Sequence, residues 1–232
     1  MASRLTLAHS VELAGLGVRS GQMIRVALLP VAGESGLSLA RTDTGETWPL
    51  DWSHAFAAPG CSAVGTPDSH VAYLEHLLAA LAAAGLTDAL VRVNGPELPL
   101  LDGSALPWVN LLAGAGVTET EGEVSPLVVT EPHVVCEGEA FLSALPSAQA
   151  EFVYILDHPN PLVGRQWARF RPGEDDFAAL LAPARTFTTE AEARSPRRRE
   201  RAPTMMDFPA PVSPVRALRP GARVRERSST TA

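Results

Sequence analysis

Lysine is missing altogether from this 232-residue sequence, and cysteine and long hydrophobic runs are scarce. Because all 19 basic residues are arginine, the sequence indicates a GC-rich gene. Cys61 and Cys136 have neither the density of a disulfide framework nor the spacing of a metal site. No apolar run reaches the roughly 18 residues that span a bilayer, and the N-terminal residues lack the apolar stretch of a signal peptide. These absences exclude a disulfide-stapled or helical membrane protein, and they favour a cytoplasmic one.

The charge is divided unevenly between the two parts of the sequence. Ten arginines and three acids follow position 193, which gives this tail a formal charge of +7 against −14 for the rest. The tail, residues 194–232, also holds six prolines and no hydrophobic periodicity, so we expect it to be disordered. Three interpretations stay open: an arm for nucleic acid or another anionic surface, an inert tail, or an out-of-frame reading of the gene. Since the basic residues are concentrated in the tail, nucleic acid is not the favoured partner.

Strand-like segments alternate with helical ones in the first half, and the fraction of hydrophobic residues, 46%, is that of a globular protein. We predict strands at 5–13, 23–29, 36–41 and 89–93, and helices at 69–84 and 105–113. A polar stretch at 119–125 is interpreted as a linker. Strands are then predicted at 127–135, 140–145, 151–156 and 167–170, followed by the start of a helix at 177–181. Helices that follow strands without regular alternation indicate an α+β fold, a sheet with helices packed on one face.

The helix predicted at 69–84 has Asp68 or Ser69 as its cap and Gly85 at the position just past its end. Its apolar positions recur at helical spacing and predict one buried face of Val71, Leu74, Leu78 and Leu81.

The pair Glu75-His76 interrupts this apolar helix. Four residues after Val71, Glu75 falls on the face predicted to be buried, where an unpaired carboxylate is costly unless it has a partner, a metal or a catalytic task. His76 is a natural metal ligand. The alternative interpretation is an ordinary Glu-His pair at the rim of a core helix.

Five blocks of residues occur in order along the chain: Gly15-Leu-Gly17 with Ser20-Gly21, Glu75-His76-Leu77, Asn94-Gly-Pro-Glu97, Asp102-Gly-Ser104, and Ala182-Pro-Ala-Arg-Thr-Phe187. Together they resemble the zinc-dependent UDP-3-O-acyl-N-acetylglucosamine deacetylases of lipid A synthesis, over residues 5–193. Arg19 stands where that family commonly has His.

The resemblance implies two related α+β domains, which we place at 1–118 and 125–193, the second incomplete. It implies a Zn²⁺ cofactor and a small UDP-linked acyl-glucosamine as the substrate. Glu75 would be the general base, His76 a zinc ligand, Thr186 a hydroxyl near the scissile carbonyl, and Phe187 part of the substrate passage. Asp102 is interpreted as a turn residue rather than a catalyst, and Cys61 as a small buried side chain rather than one that faces the site.

The remaining ligands of the family, a His and an Asp on a helix of the second domain, have no counterpart here. Every histidine of this sequence lies at or before position 158. The resemblance therefore predicts a truncated or frame-shifted member after about residue 193 that is itself inactive. The alternative is a non-catalytic remnant or binding module.

Overall fold

The computed structural model describes residues 2–33, 35–58 and 60–186. The predictions for Phe187 and for the tail at 194–232 lie outside these residues. The described part is α+β, as predicted from the sequence, with its strands arranged in several sheets and few helices. The strands are β1 Ala2–Leu7, β2 Val11–Leu16, β3 Met23–Leu29, β4 Leu37–Arg41, β5 Thr47–Pro49, β6 Ala55–Ala58, β7 Cys61–Gly65, β8 His70–Ala72, β9 Ala89–Val93, β10 Val117–Val124, β11 His133–Glu137, β12 Ala140–Ala144, β13 Phe152–Asp157 and β14 Arg165–Phe170. The helices are α1 Glu75–Ala83, α2 Leu106–Ala115 and the short α3 Phe177–Leu180.

A five-stranded sheet with the order β2-β3-β9-β4-β5 forms the centre of the first half. Its pairs are antiparallel except β4 with β9, which is parallel. Side chains of β3 alternate between the two faces, and Ile24, Val26 and Leu28 are fully buried. The predicted strands 23–29 and 89–93 have the bounds that the structure shows.

Helices α1 and α2 pack against each other and supply the rest of the core. Trp108 and Leu112 of α2 are buried there, and Pro107 lies in the first turn of this helix, where it has no hydrogen bond to break. The prediction of a helix at 105–113 is therefore confirmed, with the end two residues later.

Two predictions at the ends of this half are wrong. The segment 5–13 is not one strand, because β1 and β2 belong to different sheets. The stretch 119–125 is not a linker, because most of it lies in β10, which pairs antiparallel with β1 from Ala2↔Val124 to Leu7↔Val117. Polar side chains suit this strand because nearly all of them are exposed.

The predicted helix 69–84 begins six residues too early. Residues 70–72 form β8 in the three-stranded sheet β6-β7-β8. Ala72 also forms a parallel bridge with Glu97, because its N–H donates to the carbonyl of Pro96 (3.0 Å) and its carbonyl accepts from the N–H of Leu98 (2.9 Å). Leu74 is the N-cap of α1 and no side chain caps this end, so Asp68 and Ser69 do not have the predicted role.

After β10 the described chain forms two separate hairpins, β11-β12 and β13-β14, followed by α3. Most of their large apolar side chains are exposed, among them Phe141, Phe152, Tyr154 and Ile155. The first strand begins at His133 rather than at the predicted 127. The division into domains at 1–118 and 125–193 stays a prediction, and β10 extends the first unit to Val124.

No helix within the described residues is long and apolar enough to cross a membrane.

Candidate functional site

The Glu75-His76 pair lies at the beginning of α1, where the chain turns out of β8. Tyr73 makes this turn with a φ of 62°, a left-handed conformation that is uncommon for a residue other than glycine. The Tyr73 N–H donates to the carbonyl of Ser62 (3.0 Å), and the N–H of Ser62 donates to Oε2 of Glu75 (3.2 Å). Both Tyr73 and Glu75 are thus fixed against the same residue of β7.

The carboxylate of Glu75 does not enter the core, which contradicts the prediction from helical spacing. Because the helix begins at Glu75, its buried face consists of Leu77, Ala80 and Leu81 together with the preceding Leu74. Glu75 and His76 are half-buried. Leu78, predicted for the core, is also half-buried and packs at the edge of it. Neither Glu75 nor His76 is therefore fully covered by the rest of the fold.

The glycine loop between β2 and β3 approaches the site through a buried carboxylate, that of Glu97, which is 1% exposed. The N–H of Ser20 donates to Oε1 of Glu97 (2.7 Å), and the N–H of Arg19 lies 3.1 Å from both carboxylate oxygens. Backbone N–H groups that converge on a carboxylate form strong, charge-assisted hydrogen bonds. A Cβ at Gly17 would lie only 2.3 Å from Oε1, which explains why this loop position is glycine.

The side chain of Arg19 connects this loop to Tyr73 by direct contact. Its Nε donates to the phenol oxygen of Tyr73 (3.1 Å), and its guanidinium carbon lies 5.4 Å from the centre of the Tyr73 ring. The sequence motifs included Glu97 without a role for it. Arg19 was noted only as a departure from the family, and Tyr73 had no predicted role. A glutamate between Pro96 and Leu98 in an apolar stretch was the one signal available, because such a carboxylate needs a partner once it is buried.

The loop after β9 contacts Thr186. Asp102 accepts hydrogen bonds at Oδ1 from the N–H (3.0 Å) and the hydroxyl (2.8 Å) of Ser104, which is the turn predicted for it. Its other oxygen lies 3.5 Å from Arg185, and the Thr186 N–H donates to the carbonyl of Gly103 (2.8 Å). The exposed Thr186 is therefore fixed to this loop by its backbone. Cys61 is half-buried rather than buried as predicted, and it forms no disulfide within the described residues.

The donor groups of the described residues do not form a metal site by themselves. Among residues 2–33, 35–58 and 60–186, no three His, Cys, Asp or Glu side chains are grouped as an ion would require. His76 supplies one imidazole, whereas catalytic zinc sites use three protein ligands. These residues alone do not fit the ion.

A second cluster of catalytic residue types, Asp51, Ser53 and His54, lies in an exposed turn. Both Asp51 Oδ1 (2.9 Å) and Ser53 Oγ (3.0 Å) contact Nδ1 of His54. A hydrolytic triad needs the acid and the nucleophile on opposite ring nitrogens, so this arrangement is a turn and not a triad. Hydrogen bonds from Ser53 and His54 lower the pKa of Asp51 to about 2.

The fold and the site together define an α+β protein with a carboxylate-imidazole pair at the start of a helix, two residues after a tyrosine that contacts the glycine loop through Arg19. A model of the family "UDP-3-O-acyl N-acetylglycosamine deacetylase" matches residues 4–203. The chain belongs to this family. The match extends about ten residues beyond the break predicted near residue 193.

Curated relatives carry the same description. A UDP-3-O-acyl-N-acetylglucosamine deacetylase of Thermosynechococcus vestitus is 37% identical over 185 residues, which cover 78% of this chain and 64% of the relative. The enzyme of that name from Synechocystis sp. is 36% identical, with 78% of this chain and 67% of the relative covered. That of Geotalea uraniireducens is 31% identical and is covered over 63% of its length. The chain thus spans about two thirds of the length of these relatives.

Proposed function

We propose that this chain carries the first part of a zinc-dependent deacetylase. The whole enzyme of this proposal removes the N-acetyl group of UDP-3-O-acyl-N-acetylglucosamine in lipid A synthesis. The observation that carries the proposal is the Glu75-His76 pair at the start of α1 in a chain that belongs to the deacetylase family. The names of the relatives supply the reaction and the substrate. Neither Cys61 nor Cys136 forms a disulfide within the described residues, which fits a cytoplasmic location.

Glu75 is the general base of this proposal. Hydrolysis adds water across the amide C–N bond and yields acetate and the free amine, so one group must accept the proton of the attacking water. The N–H of Ser62 binds Oε2 of Glu75 and thereby orients the carboxylate. The other carboxylate oxygen, Oε1, is the atom that accepts the proton in this proposal.

His76 is the zinc ligand of the proposal, and Thr186 and Phe187 are its substrate-binding residues. The backbone hydrogen bond to Gly103 fixes Thr186 while leaving its side chain exposed. Phe187 follows it directly in the sequence. Because one imidazole does not hold the ion by itself, the proposal requires further ligands from outside the described residues.

The ligand count leads to the expectation that the 232-residue chain alone neither retains zinc nor deacetylates. We would measure the zinc content of the purified chain and its turnover of UDP-3-O-acyl-N-acetylglucosamine. A hybrid would then carry, in frame after Thr186, the remaining part of the Thermosynechococcus vestitus relative. The hybrid should bind stoichiometric zinc and deacetylate.

Three variants of the hybrid, one of them a control, test the roles of His76 and Glu75. His76→Ala should abolish zinc binding and turnover, whereas His133→Ala, which removes an exposed imidazole of β11, should change neither. Glu75→Gln keeps an oxygen for the Ser62 N–H but removes the base, so turnover should fall about 10²–10⁴-fold with zinc retained. Turnover by the unmodified chain that is lost in His76→Ala would show that ligands come from elsewhere.

The alternative function, a non-catalytic remnant or binding module, makes the opposite prediction for the hybrid. If the first part of the chain has lost its catalytic geometry, the added segment restores neither zinc nor turnover. A hybrid that folds cooperatively but stays inactive would therefore favour the remnant.

A further inference from the structure

We infer that Glu97 is a positioning residue for the candidate site, and that it acts through Arg19 on Tyr73, beside Glu75. The inference rests on the proposed function only in taking Glu75 as the group to be positioned. The side chains of Glu97, Arg19 and Tyr73, together with the loop between β2 and β3, form this connection. None of their contacts requires a metal.

The carboxylate of Glu97 fixes the loop by its backbone rather than by a side chain. It is buried, and its polar partners include the N–H groups of Arg19 and Ser20, which donate to it at 2.7–3.1 Å. The loop also closes on itself, because the N–H of Gly17 donates to the carbonyl of Gln22 (2.9 Å) and that of Gly21 donates to the carbonyl of Gly17 (3.0 Å). Together these bonds determine where the Cα of Arg19 lies.

The backbone of Glu97 is tied to the other side of the site. Its two neighbours, Pro96 and Leu98, hydrogen-bond with Ala72, the residue before Tyr73. One residue thus links the glycine loop to the segment that leads into α1. The positions of the Arg19 guanidinium and of the Tyr73 ring are consequently set relative to the same residue.

Tyr73 is the position where this support is needed. A non-glycine residue in the left-handed region is strained and persists only when its surroundings hold it. The Arg19 contact with the phenol oxygen and the ring holds the side chain, and the Ser62 carbonyl holds the N–H. Glu75 follows two residues later and shares Ser62 as its partner.

The test uses the two tyrosines of the chain, Tyr73 and Tyr154. In the background Tyr154→Phe, 3-fluorotyrosine labels Tyr73 alone, and its ¹⁹F resonance reports the Arg19 contact in metal-free protein. Arg19→Ala should move this resonance by more than its line width. Glu97→Gln should move it in the same direction, because an amide offers one acceptor where the carboxylate offered two.

The double variant Arg19→Ala/Glu97→Gln separates positioning from a general structural effect. If Glu97 acts through Arg19, the double variant has the resonance of Arg19→Ala alone. If the two shifts add, Glu97 reaches Tyr73 by another route and the inference is wrong. It is equally wrong if Arg19→Ala leaves the resonance in place.

Gly17→Ala disturbs the contact between Glu97 and the loop in a second way. It tests the inference if Glu97→Gln fails to fold. The added methyl would displace the end of the Glu97 side chain without changing its charge. The Tyr73 resonance should move as in Glu97→Gln. Gly114→Ala, at a helical position with nothing within 4 Å, is the matched control and should not move it.

An unmoved resonance in Gly17→Ala would overturn the inference. Because the ¹⁹F measurement involves neither zinc nor turnover, its failure is distinct from failure of the proposed function.

Discussion

At the scale of single residues, Asp88 is a fully buried charge between β1 and the loop before β4. Arg4 donates to both of its oxygens at 2.8 and 2.9 Å, and Thr87 and the Gly36 N–H donate to them as well. Burial raises the pKa of Asp88, but hydrogen bonds from Arg4, Thr87 and Gly36 outweigh it and hold the pKa below its ordinary value. Asp88 therefore joins three separate segments of the first half.

Removal of the negative charge of Asp88 should destabilise the folded protein. Asp88→Asn leaves Arg4 largely buried without its counter-ion, which we expect to lower the free energy of unfolding by about 3–5 kcal/mol. Urea unfolding at pH 7 measures it. Asp157→Asn is the matched control, because its pair with Arg165 is exposed and should contribute less than about 1 kcal/mol. Equal losses in the two variants would contradict the prediction.

The lowered pKa of Asp88 also makes the free energy of unfolding depend on pH. Since the folded pKa of Asp88 is lower than the unfolded one, its contribution is present above the unfolded value, about pH 4. It is lost as the pH falls through the folded pKa. The free energy of unfolding of the parent chain should therefore decrease more steeply below pH 4 than that of Asp88→Asn. Parallel pH curves for the two proteins would show that Asp88 does not titrate differently on folding.

At the scale of elements, helix α1 shows what determines a buried face. The helical pattern was correct in its period, but the start at Glu75 assigns Leu77 rather than Leu78 to the centre of the core. Leu77→Ala should lower the free energy of unfolding by about 2–5 kcal/mol. Leu78→Ala should cost clearly less, because Leu78 is only half-buried. Thermal or urea unfolding of both variants is the measurement, and a larger loss in Leu78→Ala would contradict the register of the helix.

The end of α1 was predicted correctly from Gly85. This residue has a φ of 69°, and the N–H groups of Gly85 and Leu86 donate back to the carbonyls of Ala82 and Leu81, as in a Schellman motif. Gly85→Ala forces a side chain into the left-handed region and should cost about 1–2 kcal/mol. Gly114→Ala within α2 should instead stabilise the chain by roughly 0.5–1 kcal/mol. Opposite signs in the two unfolding experiments are the expected result, and a shared sign would refute it.

At the scale of the whole molecule, the two halves differ in how their apolar side chains are covered. The first half has one continuous core between the central sheet and α1 with α2. The hairpins of the second half expose Phe141 (69%), Phe152 (65%) and Ile155 (60%). Apolar side chains exposed together in this way promote association of protein molecules.

Hydrogen exchange should report this difference directly. Amides of β3 and β9 lie in the core and should exchange at the slowest rates, whereas those of β11 to β14 should exchange by local opening at low free energy. Ile155→Glu should reduce aggregation without lowering the stability of the first half, and Val91→Glu, which places a charge in the core, should unfold it. Uniformly slow exchange in both halves would show that the hairpins are covered in solution.

The sequence by itself determined the α+β class, the strands 23–29 and 89–93, helix α2 and the end of α1, because each depends on local periodicity or on one turn residue. It also identified Glu75 and His76 as an unusual pair. Tertiary structure decided where α1 begins, since Ala72 stays extended through hydrogen bonds to Pro96 and Leu98, more than twenty residues away. It likewise made a strand of the polar segment 117–124 by pairing it with β1, at the opposite end of the first half. Pairing between distant segments leaves no local pattern, and for the same reason the contact from Glu97 through Arg19 to Tyr73 emerged only from the folded chain.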